Sequence, residues 1–105
     1  MIRWSLFIDD ERMPAWNAPD DMIIARTKAE VENLISDLGM PYFITFDHDL
    51  GKRQPTGLDI AKMIVELDLD GIKLPDDFTF YVHSQNPIGK ANIESYLGQY
   101  LEMRA

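Results

Sequence analysis

Cysteine is absent from the 105 residues. That removes disulfides, thiolate metal ligands and a cysteine nucleophile together, and it suits a reducing compartment. Long apolar runs are also missing. Nothing approaches the ~20 residues of a membrane span, and the run at the N-terminus is too short for a signal peptide, so a cytoplasmic location and no membrane contact are expected. Basic residues are scarce, 10 Lys and Arg against 18 Asp and Glu, for a formal net charge of −8. Tracking an extended polyphosphate depends on clustered cations, so extended double-stranded nucleic acid is not an expected partner. A small phosphorylated ligand or an acid-lined metal pocket is compatible with this balance. No internal repeat or low-complexity stretch is present. A chain of this length supports one core, so residues 1–105 read as a single domain.

What is present is an alternation of short apolar runs and amphipathic segments. Trp4 to Ile8 stops abruptly at Asp9-Asp10-Glu11, the pattern of a buried strand that delivers acids to its C-terminal end. A loop with Pro14 and Pro19 follows, in which Trp16 could stack on a base beside the rim but is expected, as the commoner use, to cap the core. Met22 to Ala25 is a second strand ending at Arg26. Thr27-Lys28-Ala29-Glu30 has the form of a capping box, and Val31, Leu34, Ile35 and Leu38 make one helical stripe before Gly39 and Pro41 end it. Tyr42 to Phe46 is a third strand, running into Asp47-His48-Asp49. After a loop from Gly51 to Gly57, Leu58 to Leu69 is a second helix. Phe78 to Val82 is a fourth strand, ending at His83-Ser84. Asn86-Pro87 opens a last helix with Ile93, Tyr96, Leu97, Tyr100 and Leu101 as its buried stripe. The acids at Asp20-Asp21, Asp68, Asp70 and Asp76-Asp77 read as solvated loop residues. The order β, β, α, β, α, β, α implies an α/β fold, its mostly parallel sheet covered on both faces by right-handed crossovers.

Every strand therefore ends in a reactive group: Asp9-Asp10, Arg26-Thr27, Asp47-His48-Asp49 and His83-Ser84. In an open α/β sheet the ligand crevice lies at those C-terminal ends. Each of the two histidines directly follows a strand, where the backbone is held by sheet hydrogen bonds. The helix start at Ser84-Gln85-Asn86-Pro87-Ile88-Gly89 offers free amides to an anion, and Gly89 permits close approach. Arg12 and Arg26 can add positive charge to the same rim.

The opening LFIDDERMP resembles the acidic first strand of response-regulator receiver domains. More specifically, DDER, ART, FDHDLG, TG and HSQNPIGKANI resemble the cyclic-phosphate-processing receiver domain, over nearly the whole chain from Leu6 to about Tyr100. The resemblance implies a shortened receiver-like (flavodoxin-like) three-layer fold, with a four-stranded, mainly parallel sheet in the order 2-1-3-4. It also implies the processing or sensing of nucleotides with cyclic phosphates. By motif, the site carries over onto Asp9, Asp10, Arg12, Arg26, Asp47, His48, Asp49, His83, Ser84 and Asn86. Two departures from true receivers stand out. Only one helix fits after His83, leaving no fifth strand for the receiver lysine. The acceptor position falls on either Asp47 or Asp49.

Three functions follow. In a phosphoesterase opening a cyclic phosphodiester, one group activates water and another protonates the departing ribose oxygen. His48 and His83 would be that acid–base pair, with Asp49 or Asp47 orienting a histidine. Arg12, Arg26, Ser84, Asn86 and the helix amides would hold the phosphate, and Asp9, Asp10 and Asp47 would bind an optional Mg²⁺. The substrate would be a small cyclic-phosphate nucleotide or an RNA end. In the second function the same seat belongs to a sensor that binds without turnover. In the third the domain is a phosphoacceptor labelled on Asp47 or Asp49.

Overall fold

The computed structural model describes residues 2–104. Four strands, β1 (Ser5–Ile8), β2 (Met22–Ala25), β3 (Phe43–Phe46) and β4 (Thr79–Val82), alternate with helices α1 (Lys28–Leu38), α2 (Gly57–Leu69) and α3 (Pro87–Arg104). The strands are all parallel, in the order β2-β1-β3-β4. Among the described residues no helix is long and apolar enough to cross a membrane.

Side chains alternate across a strand, so the register sorts the sheet into two faces. Leu6, Ile23, Ile44 and Phe80 share one row, and Ile8, Ala25, Phe46 and Val82 the next. These residues join Val31 and Ile35 of α1, Ile60 and Ile64 of α2, and Ile93 and Leu97 of α3 in one apolar core. All three helices therefore cover the same face. The connections through α1 and α2 step across the sheet in the same direction, and right-handed crossovers must then lie on the same side. The connection from β1 to β2 steps the other way. It holds only residues 9–21, too few for a packed helix, and forms a thin third layer of loop over the opposite face. Phe7 lies there, buried but outside the main core, with Pro14, Ala15, Ala18 and Pro19 alongside. Trp16 is 97% exposed, so the expectation that it caps the core is overturned: the short loop is anchored through its prolines and alanines and turns the indole outward.

Helix starts follow local chemistry. Thr27 Oγ1 accepts from the Glu30 amide at 3.2 Å, but Glu30 reaches back to the Arg26 amide, one residue earlier than a closed capping box requires. Thr56 and Asp59 close a full box at α2. Asn86 Oδ1 caps α3 by accepting from the Gly89 amide at 3.0 Å.

Two acids read as solvated loop residues make structural contacts, Asp68 buried and Asp21 still exposed as expected. Asp68, 2% exposed, accepts hydrogen bonds from the Tyr100 hydroxyl, the Leu74 amide and the Arg104 guanidinium, tying α3 to the end of α2. Burial pushes its carboxyl up, but these donors outweigh burial and hold it below the usual range. Asp21 accepts from Ser5 Oγ at 2.7 Å and from the Tyr42 hydroxyl, joining the starts of β1 and β3. Both acids sit at element ends, where composition alone resembles a solvated turn. The distant hydroxyls and guanidinium arrive only through the fold.

Candidate functional site

The sheet ladder continues one residue past each strand. Asp9 N–H donates to Ala25 O at 3.2 Å, Asp47 N–H to Ile8 O at 2.8 Å and His83 N–H to Phe46 O at 2.9 Å. Asp9, Asp47 and His83 are thus adjacent in a row with fixed backbones. Alternation aims all three at the loop-covered face, like Phe7 and Thr45 two residues earlier.

His83 is the hub of that row. Its Nε2 lies 2.9 Å from Asp9 Oδ2, its Nδ1 lies 2.7 Å from Thr45 Oγ1, and its ring stacks on Phe7 at 4.8 Å with 5° between planes. Both ring nitrogens are engaged. Asp9, 1% exposed, accepts from the Glu11 and Arg12 amides on Oδ1 at 2.9 and 2.8 Å. Burial alone would raise its carboxyl, yet the two amides and His83 keep it below the usual carboxylate value. Asp9 is held as an anion that folds the start of the 9–21 loop around itself.

Beside this row is an open groove of about 270 Å³, lined by Asp10, Glu11, Arg12, Asp47, Asp49, Ser84, Gln85 and Asn86. Arg12 lies along it, with Nε 3.9 Å from Asp9 Oδ2 and Nη1 3.4 Å from His83 O. Asn86 Nδ2 donates to Asp49 at 3.3 Å, and Ser84 Oγ accepts from the Asn86 amide at 3.1 Å. Asp47 is 8% exposed, and among the described residues no hydrogen bond reaches its carboxylate. Its oxygens open onto the groove, where water or a cation can satisfy them.

The sequence-expected residues divide three ways. Arg12, Ser84, Asn86, Asp10, Asp47 and Asp49 gather at the groove. Asp9 and His83 stand behind it as a hydrogen-bonded pair. His48 and Arg26 are elsewhere, which corrects two expectations. His48 follows Asp47 and, by the same alternation, faces the helices: its ring lies under Gly89 of α3, and its Nδ1 is buried without a partner. It lies across the sheet from His83 and lines no part of the groove, so the two imidazoles are not arranged as an acid–base pair on one phosphate. Arg26 donates from Nη1 to Asp9 O at 2.8 Å and to Arg12 O at 2.7 Å. Its guanidinium staples the 9–13 turn and does not line the groove.

Asp9, Asp47 and His83 each offer one ligand atom, all within 4.8 Å of one another, whereas Asp10 stands outside that trio. Two carboxylates and an imidazole, one carboxylate lacking any donor, fit a divalent cation.

Thr45, Phe7, Glu11 and Gln85 were not foreseen. Thr45 and Phe7 were in principle findable, since a parallel register puts both two residues before the row they support. Glu11 and Gln85 carry no motif that separates them from ordinary surface residues.

No curated protein and no solved structure matches the chain. A family model does, over residues 4–99, from the start of β1 to near the end of α3. It includes all the groove residues, the Asp9–His83 pair and the two glycines that pack on the β3 end. This chain belongs to the cyclic-phosphate processing receiver domain family.

Proposed function

We propose that the groove binds a nucleotide carrying a cyclic phosphate, free or at an RNA end, and opens the phosphodiester with the help of a divalent cation. The observation that carries this reading is a juxtaposition. Groups that can bind an anion, namely Arg12, Ser84, Gln85 and Asn86, the last three leading into α3, share one groove with Asp10, Asp49 and the nearly buried Asp47. A helix N-terminus and an arginine attract phosphate, whereas three carboxylates repel it. A phosphate anion and these acids are compatible when a cation lies between them. The strand-end carboxylates would hold that cation, which when bound would polarise the phosphoryl oxygens and lower the pKa of water.

The chain's own groups take defined parts. Arg12, with the Ser84 hydroxyl and the Asn86 amide side chain, seats the phosphate oxygens. Asp49, held by Asn86, faces the groove and is placed to accept a proton from water. In the cation-free protein His83, bonded to Asp9 and Thr45, holds Asp9 and the turn that presents Asp10 and Arg12 to the groove. A second reading, a sensor that binds the same ligand without turnover, is favoured by the absence of a histidine nitrogen from the groove lining.

Incubating the purified chain with 2′,3′-cyclic and 3′,5′-cyclic nucleotides and with cyclic-ended RNA, with and without Mg²⁺ or Mn²⁺, tests this reading. A linear monophosphate product is expected, lost in Asp49→Asn. Binding without product moves the function to the sensor, and no binding of any member removes the cyclic-phosphate reading.

A further inference from the structure

We propose that the cation site of this domain is built from Asp9, Asp47 and His83, and that it selects a first-row transition ion such as Mn²⁺ or Zn²⁺ over Mg²⁺. The sequence points to an all-carboxylate set including Asp10. The structure instead brings an imidazole into the row at the sheet edge, with its Nε2 2.9 Å from Asp9 Oδ2. Two ligand atoms that are each about 2.1 Å from a cation, at right angles, stand about 3.0 Å apart. The 2.9 Å Asp9–His83 contact is a hydrogen bond in the free protein, and the two atoms are also close enough to become neighbouring ligands of one ion, which would displace the bridging proton and sit off the N···O line.

Three further features support the assignment. Thr45 Oγ1 lies 2.7 Å from His83 Nδ1, so the hydroxyl can accept the Nδ1 proton and leave Nε2 as the free lone pair. The stack on Phe7 holds the ring plane. Asp47, 92% buried by its 8% exposure, lacks a hydrogen-bond donor and belongs to the same trio. Asp9 keeps Oδ1 on two backbone amides, so Oδ2, which faces His83 and has the Arg12 Nε 3.9 Å away, is the oxygen that would meet the ion. Ligand type then sets the preference. Mg²⁺ demands oxygen and dehydrates reluctantly, whereas imidazole nitrogen suits the later first-row ions. Balance is simple: one ion enters, and the proton shared by Nε2 and Oδ2 passes to Nδ1 or to solvent.

This inference deepens the cation reading above and is independent of turnover, so it is tested without nucleotide. Full-length protein is titrated calorimetrically with MnCl₂, ZnCl₂ and MgCl₂ alone, and Mn²⁺-loaded wild type is examined by electron spin-echo spectroscopy for ¹⁴N modulation from a bound imidazole. Mn²⁺ and Zn²⁺ should each bind at least about tenfold more tightly than Mg²⁺, with the nitrogen signal present. His83→Ala should remove most of that preference and Thr45→Val should weaken Mn²⁺ about tenfold or more, whereas Asp76→Asn, an exposed acid just before β4 at the opposite edge of the sheet, should leave Mn²⁺ affinity within about threefold. The spectroscopic arm uses wild type, so it holds even if His83→Ala does not fold. Equal affinity for Mg²⁺, bound Mn²⁺ without ¹⁴N modulation, or no binding of any cation would each overturn the proposal. Cyclic-nucleotide binding measured separately would still stand or fall by itself.

Discussion

Replacing Gly89 by alanine puts a methyl group where the His48 ring already lies. A Cβ built on Gly89 would stand 2.3 Å from His48 Cγ, 2.5 Å from Cδ2 and 2.8 Å from Cβ. Ordinary carbon contacts begin near ~3.5 Å, so the ring or the first turn of α3 must move by about 1 Å. The crowded atoms belong to the base of the side chain, and a rotation at its tip gives no relief. Overpacking of this kind costs about 1–3 kcal/mol. Against it stands the helix preference of alanine over glycine, worth up to about 1 kcal/mol. The net is a loss of up to about 2 kcal/mol, or up to roughly 16 °C in Tm at the ~4–8 °C per kcal/mol usual for small domains. Gly98, in the same helix with nothing within 4 Å of its Cβ position, is the internal control. Gly98→Ala should gain about 0.5–1 kcal/mol. Urea denaturation of both single variants and of Gly89→Ala/His48→Ala gives the coupling directly. The double variant should recover most of the Gly89→Ala loss. If Gly89→Ala is as stable as Gly98→Ala, His48 does not lie beneath the start of α3, and the separation of the two histidines across the sheet fails with it.

Gly57→Ala should be more severe, because its Cβ would stand 2.1 Å from the carbonyl oxygen of Asp47, a backbone atom that cannot rotate away. About 3 kcal/mol or more should be lost in a urea titration. Arg26→Ala should cost about 2 kcal/mol and expose the 9–21 loop to limited proteolysis, since two charge-assisted bonds to carbonyls are removed. A selective loss of ligand affinity with unchanged stability would instead restore Arg26 to the phosphate seat. Asp68→Ala should cost about 2–4 kcal/mol by stranding the Tyr100 hydroxyl and Arg104. The wild-type pH profile carries the same signature. The Asp68 carboxyl titrates below its unfolded value of about 3.9, so its contribution is complete above that pH and is lost as pH falls through the folded value. Asp68→Asn should flatten the acid limb of stability against pH, and an unchanged limb would show that the network does not hold the ionised form.

The sequence by itself determined the elements and the edge where the chemistry gathers. Each strand is a short β-branched or aromatic run stopped by charge, and each helix has its cap and stripe written locally, so periodicity and end chemistry suffice for both. Parallel alternation then forces Asp9, Asp47 and His83 to one edge of the sheet. That much was legible without coordinates, as was the groove membership of Arg12, Ser84 and Asn86. Tertiary structure alone decided which face each side chain takes and what meets it there. His48 and His83 look equivalent along the chain, but one follows its strand by two residues and the other by one, and a one-residue offset is a change of face. Arg26 and Asp68 were misread for a different reason. A charged group at an element end shows little locally of its role, and the decisive side-chain contacts here reach far along the chain: from Arg26 to Arg12 and Asp9, 14 and 17 residues away, and from Asp68 to Tyr100 and Arg104, 32 and 36 residues away. The choice between Asp10 and His83 in the edge row is of the same kind: neighbouring strands, not neighbouring residues, place two ligand atoms within bonding reach of one ion.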